Sequence, residues 1–258
     1  MTTTEILARV DRLAVALREL TEQQLRLIET VVKQFRKPFL KIERWPDSDL
    51  VDARVLHDFG DVLRMHHTFS KEALSKDRFE YALEKTLILC GKDAMLAASR
   101  TNRGHDLTIA GVPCSLKTQA DKGIRGDEIY ISKFMELGKG HWSASVSDLR
   151  GLRDQFLRHM EAYDRVFSLR CLTKDPTHWR YELVEIPKAL LQEAGNGKRS
   201  VCRKSKQSPK PGYCNVTDAD GKLKFQLYFD GGTERKLQIK HLRKDLCRVH
   251  AQWEFATA

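Results

Sequence analysis

The segment from Gly104 to Thr118, Gly-His-Asp-Leu-Thr-Ile-Ala-Gly-Val-Pro-Cys-Ser-Leu-Lys-Thr, constrains this chain more than any other. It reads as a β-hairpin in which Asp106 opens one strand, Gly111 marks the turn and Lys117 lies on the second strand. Strand side chains alternate with period two. Val112, Cys114 and Leu116 therefore share one face, and Ser115 and Lys117 the other. On the first strand Asp106, Thr108 and Ala110 oppose Leu107 and Ile109. Such a hairpin sends Leu107, Ile109 and Leu116 to a core and gathers Asp106 and Lys117 on one polar face. A carboxylate there suits a hard divalent cation, which takes oxygen ligands from few carboxylates together with phosphate oxygens. An ammonium beside it is a compact positive charge for a phosphate or a nucleophilic water. On spacing alone, the competing reading is an exposed turn with a charged strand edge.

The pattern resembles the PD-(D/E)xK nuclease superfamily, in the form G-x-D, hairpin, x-x-K. It departs from it twice. His105 stands where a proline often precedes the acid. Ser115 stands where the second acid normally lies, so the hairpin lacks one metal ligand. Longer segments are similar to the SmaI-type restriction endonuclease family, which cuts CCCGGG. These are residues 131–140 (Ile-Ser-Lys-Phe-Met-Glu-Leu-Gly-Lys-Gly), 206–213 (Lys-Gln-Ser-Pro-Lys-Pro-Gly-Tyr) and 228–242 (Tyr-Phe-Asp-Gly-Gly-Thr-Glu-Arg-Lys-Leu-Gln-Ile-Lys-His-Leu). The resemblance runs from about residue 100 to the C-terminus, with a weaker likeness before residue 75. It implies Mg²⁺-dependent hydrolysis of both strands of double-stranded DNA at a short G·C-rich palindrome. It further implies a homodimer with one centre per strand, and a cognate DNA methyltransferase as genetic partner.

Within the superfamily, an acid on the helix ahead of the hairpin often completes the metal site. Glu80 and Glu84 are four apart, so they share a helix face, and that face continues into Leu87 and Ile88. Glu80 is the first choice and Glu84 the second; Glu128 and Glu136, downstream of Lys117, are further alternatives. The structural alternative for Glu80 is an ion pair with Lys76 or Lys85. By resemblance Mg²⁺ would be held by Asp106, one helix glutamate and the Ser115 backbone carbonyl, with Lys117 orienting the attacking water. His105 adjoins the site as a hydrogen-bonding neighbour more than as a general base.

The 258 residues allow one large domain or a domain with a helical appendage, and 41% hydrophobic content supports a sizeable core. No apolar run is long enough to cross a bilayer and no secretory signal is evident, so the expectation is a cytoplasmic protein with no membrane contact. The six cysteines form no C-x-x-C pair, which argues for reduced, buried thiols over a zinc site. Charge is unevenly spread. Between Gly195 and His250 stand 14 Lys and Arg against 5 Asp and Glu, a net +9, which leaves +1 of the total +10 for the rest. A basic block of that kind is the footprint of a polyanion. Its candidate DNA contacts are Arg199, Arg203, Lys204, Lys206 and Lys210 on a loop, for base edges and wrapping. Arg235, Lys236, Lys240 and Arg243 lie on a more regular element, for phosphates and one or two guanines.

Apolar spacing predicts helices over residues 4–18 and from a Thr21–Gln24 capping box to about Phe35. It also predicts helices over 49–57 behind Asp47 or Ser48, from Ser70 or Ser75 to about Gly91, over 93–100, from Ser147 to about Tyr163, and from Pro187 to Ala194. Strands are expected at 128–132, 165–172, 179–186 and 223–229, with 234–242 either strand or helix. Residues 101–104, 118–126 and 196–212 read as loops. The resulting fold class is α/β (α+β), a mixed sheet flanked by helices with helices at the N-terminus, as in the restriction-endonuclease-like core. Three regions are expected: 1–70, helical, for packing or dimerisation; 71–194, a nuclease core; and 195–258, a basic DNA-binding region continuous with it. Two other functions share these features: a repair or mobile-element nuclease of looser specificity, and a DNA-binding protein that has lost catalysis.

Overall fold

The computed structural model describes residues 2–98, 104–121, 123–138, 142, 145–173, 175 and 177–257. In chain order the elements are α1 (Thr3–Leu17), α2 (Glu22–Arg36), β1 (Lys41–Arg44), α3 (Ala53–Phe69), α4 (Lys76–Leu89), β2 (Ala94–Leu96), β3 (Leu107–Ile109), β4 (Val112–Gln119) and β5 (Glu128–Glu136). They continue with α5 (Val146–His159), β6 (Arg165–Cys171), β7 (His178–Ile186), α6 (Lys188–Gln192), β8 (Lys198–Val201), β9 (Gly212–Thr217), β10 (Leu223–Phe229), β11 (Lys236–Arg243) and β12 (Arg248–Ala256). The protein is thus mixed α/β, as its patterning implied.

A seven-stranded sheet of order β1-β12-β7-β6-β4-β3-β2 forms the centre, and a five-stranded sheet of order β5-β11-β10-β9-β8 forms a second layer. Only the β4–β6 pair is parallel in the first sheet, and the chain between them carries β5 and α5. A parallel pair needs such a crossover. Two cores result. One face of the central sheet, with Leu107, Leu116, Phe167 and Trp253, packs on Phe59, Leu63, Phe79 and Leu83 of α3 and α4. The opposite side, with Val166 and Val184, joins Phe156 of α5 and the inner residues of the second sheet.

Local signals set most boundaries. Thr21 and Gln24 form the expected capping box of α2, and Ser75 accepts from the Arg78 N–H to start α4. Other expectations are corrected by pairing or capping across distance. The helix expected over 49–57 starts only after Asp52, whose carboxylate accepts from the Val55 N–H at 2.9 Å, and it runs on to Phe69. Residues 94–96 are a strand, not a helix, because β3 offers them a ladder. Part of the 196–212 loop is β8, which pairs with β9. The 118–126 loop starts later, since β4 runs to Gln119. Ser145, not Ser147, caps α5, and 236–243 is strand, paired on both sides. Ile88 is exposed, so only Leu87 continues the glutamate face into the core. Ser99 to Arg103, part of the expected 93–100 helix and the following loop, lie outside the described residues, as do Lys139 and Gly140.

β1 and β12 come from opposite ends of the chain yet pair with each other at the edge of the central sheet. The buried cysteines Cys90, Cys114, Cys171 and Cys214 are free thiols. No helix among the described residues is long and apolar enough to cross a membrane. α1 is different from the other long helices: it buries none of its residues, and Ile6, Leu7, Val10 and Leu13 are exposed.

Candidate active site

The hairpin forms as expected. Its strands pair Leu107 with Cys114 and Ile109 with Val112, and its two turn residues, Ala110 and Gly111, have φ of 48° and 78°. Positive φ at both central residues is the type I′ turn that matches strand twist. Gly111 takes that conformation freely, whereas Ala110 takes it under strain. The tight turn brings Asp106 and Ser115 side by side. The Ser115 hydroxyl donates to Asp106 Oδ2 at 3.2 Å and the Leu116 N–H donates to the same oxygen at 2.6 Å.

The other oxygen meets a residue that sequence reasoning treated only as an ion-pair partner. Lys76, in the first turn of α4, sets its Nζ 2.7 Å from Asp106 Oδ1 and 2.6 Å from Glu80 Oε1. One ammonium thus sits between the two carboxylates. Glu80 is brought to Asp106. Glu84 is not: its Oε1 accepts from the Leu96 N–H at 2.8 Å and anchors β2. Glu128 and Glu136 pair elsewhere, Glu128 with Arg125 and His241 and Glu136 with Lys133. Among the described residues His105 reaches Thr108, at 3.1 Å, and no carboxylate.

Lys117 lies on the same strand face as Ser115, buried between the sheets, with its Nζ 5.1 Å from the centre of the Phe134 ring on β5. No carboxylate among the described residues touches it. Burial pulls its amine down to about 8, with Asp106 and Glu80 opposing and Lys76 adding to the fall. For Asp106, burial would raise the carboxyl, but the charges of Lys117 and Lys76 and the N–H of Leu116 outweigh it and the pKa falls. Lys76 is desolvated too, yet Asp106 and Glu80 raise it and hold it charged. The Tyr163 phenol is buried without a hydrogen-bond partner and feels the Asp106 charge, and both effects raise its pKa.

The buried amine gives a stability test. Where the folded pKa of a base is depressed, the unfolded chain binds the extra proton between the two values, so stability rises with pH across that window. Here the window runs from about 8 to the ordinary 10.5. Below it the cost of burying the charge is fully present, on the order of 3 kcal/mol. Lys117→Met is therefore expected to stabilise the metal-free protein at pH 7, and the gap to wild type should close between pH 8 and 10.5. Denaturant titrations at several pH values check this. A pH-independent gap, or a less stable variant, would contradict it.

A second group has metal-ligand residue types: one ligand atom each of Asp49, Glu185 and His250 lies within 4.8 Å of the others. Its charge is already met. Arg165 bonds Glu185 at 2.7 Å and Asp49 at 3.0 Å, and His250 spans Ser48 at 2.8 Å and Glu185 at 3.0 Å. Glu185 sits at about 2, because Arg165 and His250 overcome its desolvation. This is a structural clamp joining β6, β7 and β12.

The basic candidates separate by position. Arg203, Lys204 and Lys206 are exposed on the turn after β8. Lys210 reaches back to the Ser205 carbonyl, and its own carbonyl accepts from Trp142 at 2.8 Å. Arg199 stands opposite Cys214 on the inner side of the second sheet, with its Nε buried. Arg235, at φ 39°, ends the β10–β11 turn. That turn packs so tightly on the 206–211 loop that a Cβ on Gly231 would fall 1.8 Å from the Pro209 carbonyl oxygen. Lys236 pairs with Glu234 at 2.8 Å, and Arg243 is neutralised by Asp245 at 2.6 Å and Asp218 at 3.2 Å. Lys240 lies 3.9 Å above the Tyr228 ring centre and forms no ion pair among the described residues, though it feels the charge of Asp230.

Comparison with known proteins adds identity to this geometry. A family model described as SmaI, type II site-specific deoxyribonuclease, matches residues 13–255. The type II restriction enzyme SmaI of Serratia marcescens is 50% identical over 197 residues, which cover 76% of this chain and 78% of that protein. No solved structure matches. This chain belongs to the SmaI family of type II site-specific deoxyribonucleases.

Proposed function

We propose that this chain is a Mg²⁺-dependent restriction endonuclease that hydrolyses both strands of double-stranded DNA at CCCGGG, with Asp106, Glu80, Ser115 and Lys117 at its active centre. The observation that carries the reading is the Lys76 ammonium held between Asp106 and Glu80. Two carboxylates already arranged around one positive charge form an oxygen donor set that suits a hard divalent cation. Mg²⁺ bound by Asp106 and Glu80 would polarise the scissile phosphate and lower the pKa of a water. The chain's own groups do the remainder. Leu116 N–H and the Ser115 hydroxyl fix the Asp106 carboxylate, which lets Ser115 serve where the superfamily pattern has an acid. Lys117, desolvated and unpaired, faces the reaction as a charge that gains a partner when negative charge builds on the phosphate.

In this reading one centre serves one strand, so a double-strand break calls for a two-fold dimer. The exposed apolar face of α1 suits subunit contact within residues 1–70. Residues 71–194 carry the nuclease core, and 195–258 the DNA surface. The enzyme works in the cytoplasm beside a methyltransferase that protects host sites.

A plasmid digest with and without Mg²⁺ tests the proposal. Discrete fragments that appear only with Mg²⁺, and whose sequenced ends share CCCGGG, are expected. Nicking or smearing would favour a repair or mobile-element nuclease, and retained binding without cleavage an inactive DNA-binding protein. Binding should also weaken steeply with salt, with a log–log slope of about −0.9 per neutralised phosphate.

A further inference from the structure

We propose that the outer face of the second sheet docks in the major groove of double-stranded DNA, and that the Asn215–Gln226 amide pair on it reads one G·C base pair. The inference rests on the endonuclease reading and names a recognition surface for it.

Alternation along β9, β10 and β11 buries Cys214, Leu227 and Ile239 on the inner side and turns polar residues outward. Pairing aligns these outward residues in rows. In one row Lys198 stands opposite Asn215, Asn215 opposite Gln226, and Gln226 opposite Lys240. In the next, Tyr213 stands opposite Tyr228 and Tyr228 opposite Gln238, which accepts from the Tyr130 hydroxyl at 3.0 Å. Neither row contains a carboxylate. Of the lysines that end the first row, exposed Lys198 and Lys240 on its tyrosine ring, neither forms an ion pair among the described residues, though the charge of Asp230 reaches Lys240. A row of amides ended by two unpaired cations lacks an anion on each flank and hydrogen-bonding partners in the middle. Duplex DNA offers both, with phosphates on the groove lips and base edges between.

The dimensions agree. Lys198 and Lys240 are three strands apart, about 14 Å at a strand spacing of about 4.8 Å. The major groove is about 12 Å wide. Strand β5 links the face to the active centre: it carries Phe134, against Lys117 on the inner side, and Tyr130 of the second row on the outer side. They are four positions apart, about 13 Å along the strand.

The amides make the reading specific. Gln226 Nε2 donates to Asn215 Oδ1 at 2.8 Å. That bond uses the Asn215 acceptor and leaves its Nδ2 as a donor, while Gln226 Oε1 remains as an acceptor. Guanine presents two acceptors in the major groove and cytosine one donor. Adenine would set its N6 donor against Asn215 Nδ2, and thymine its O4 acceptor against Gln226 Oε1. An amide row with no carboxylate of its own can therefore read cytosine directly through an amide oxygen.

The test is equilibrium binding of the full-length protein in Ca²⁺ without Mg²⁺. The probes are a duplex carrying the cognate hexamer found by end sequencing, three duplexes with one half-site base pair changed symmetrically to A·T, and an unrelated duplex. Asn215→Ala/Gln226→Leu should weaken cognate binding roughly 10–100-fold and abolish discrimination at a single position, leaving the unrelated duplex nearly unchanged. Gln226→Ala alone should lose discrimination at that same position, which keeps the test open if the double variant misfolds. Lys240→Met should weaken all duplexes alike and reduce the salt slope by about one phosphate. Unchanged discrimination, or equal weakening on every duplex by the amide variants, would overturn the proposal. A wild-type protein with no sequence preference would instead overturn the endonuclease reading, and this inference with it.

Discussion

Asp106→Ala and Lys117→Ala are each expected to reduce cleavage by more than about 10³-fold while leaving DNA binding in Ca²⁺ largely intact. Asp106 fixes the donor set through both of its oxygens, to Lys76 on one side and to Ser115 and Leu116 on the other. On the proposed reading its loss removes a metal ligand and a negative charge beside phosphate, so binding can tighten even as cleavage stops. Lys117 is buried on β4, against Phe134, whereas the neighbouring Lys76 is already engaged by Asp106 and Glu80. Glu80→Gln should be nearly as severe, because Glu80 shares the Lys76 ammonium with Asp106. Glu84→Gln should act mainly by loosening β2, since its carboxylate holds the Leu96 N–H. Single-turnover cleavage of a cognate duplex distinguishes these outcomes. Wild-type rates for either hairpin variant would move the active site elsewhere, and reversed severity of the two glutamine variants would move the second acid to Glu84.

Arg170→Met is expected to cost about 3–5 kcal/mol of stability, the usual penalty for removing one partner of a buried ion pair. The Arg170 guanidinium is fully buried and pairs with Glu182. It also donates to Gln119 Oε1 at 2.8 Å and to the carbonyls of Arg125 and Glu128 at 2.7 and 2.6 Å. One side chain thus ties β6, β7, the end of β4 and the start of β5. Without it Glu182 keeps, among the described residues, Lys244 at 3.1 Å, and the carbonyls of Arg125 and Glu128 each lose the Arg170 donor. Urea unfolding at pH 7 measures the loss. Adding Glu182→Leu should restore part of it, because the stranded carboxylate is the main cost. A loss below about 1 kcal/mol would mean that water or rearrangement satisfies these groups. The site should suffer as well, since this clamp sets where β5 leaves β4 and hence how Phe134 lies over Lys117.

What the sequence determined is what neighbours along the chain decide. Alternation in the Gly104–Thr118 hairpin and the capping box at Thr21 are written within a few residues. Their geometry follows from backbone sterics and hydrogen bonding over one turn or one strand pair. The basic block was equally legible, because charge adds along the sequence. Only the tertiary structure separated the surroundings of Glu80 from those of Glu84. They share a helix face, and the difference turned on which end of α4 meets Asp106 and which meets β2. It also gave Lys76 its place between two carboxylates, and split the basic block into paired groups such as Arg243 and unpaired ones such as Lys240. β1 and β12 escaped the sequence reading because short edge and return strands acquire their shape from partners some 200 residues away. The Asn215–Gln226 pair escaped for a related reason. No spacing along the chain announces a cross-strand contact; the register does, and register follows from which faces bury their apolar side chains.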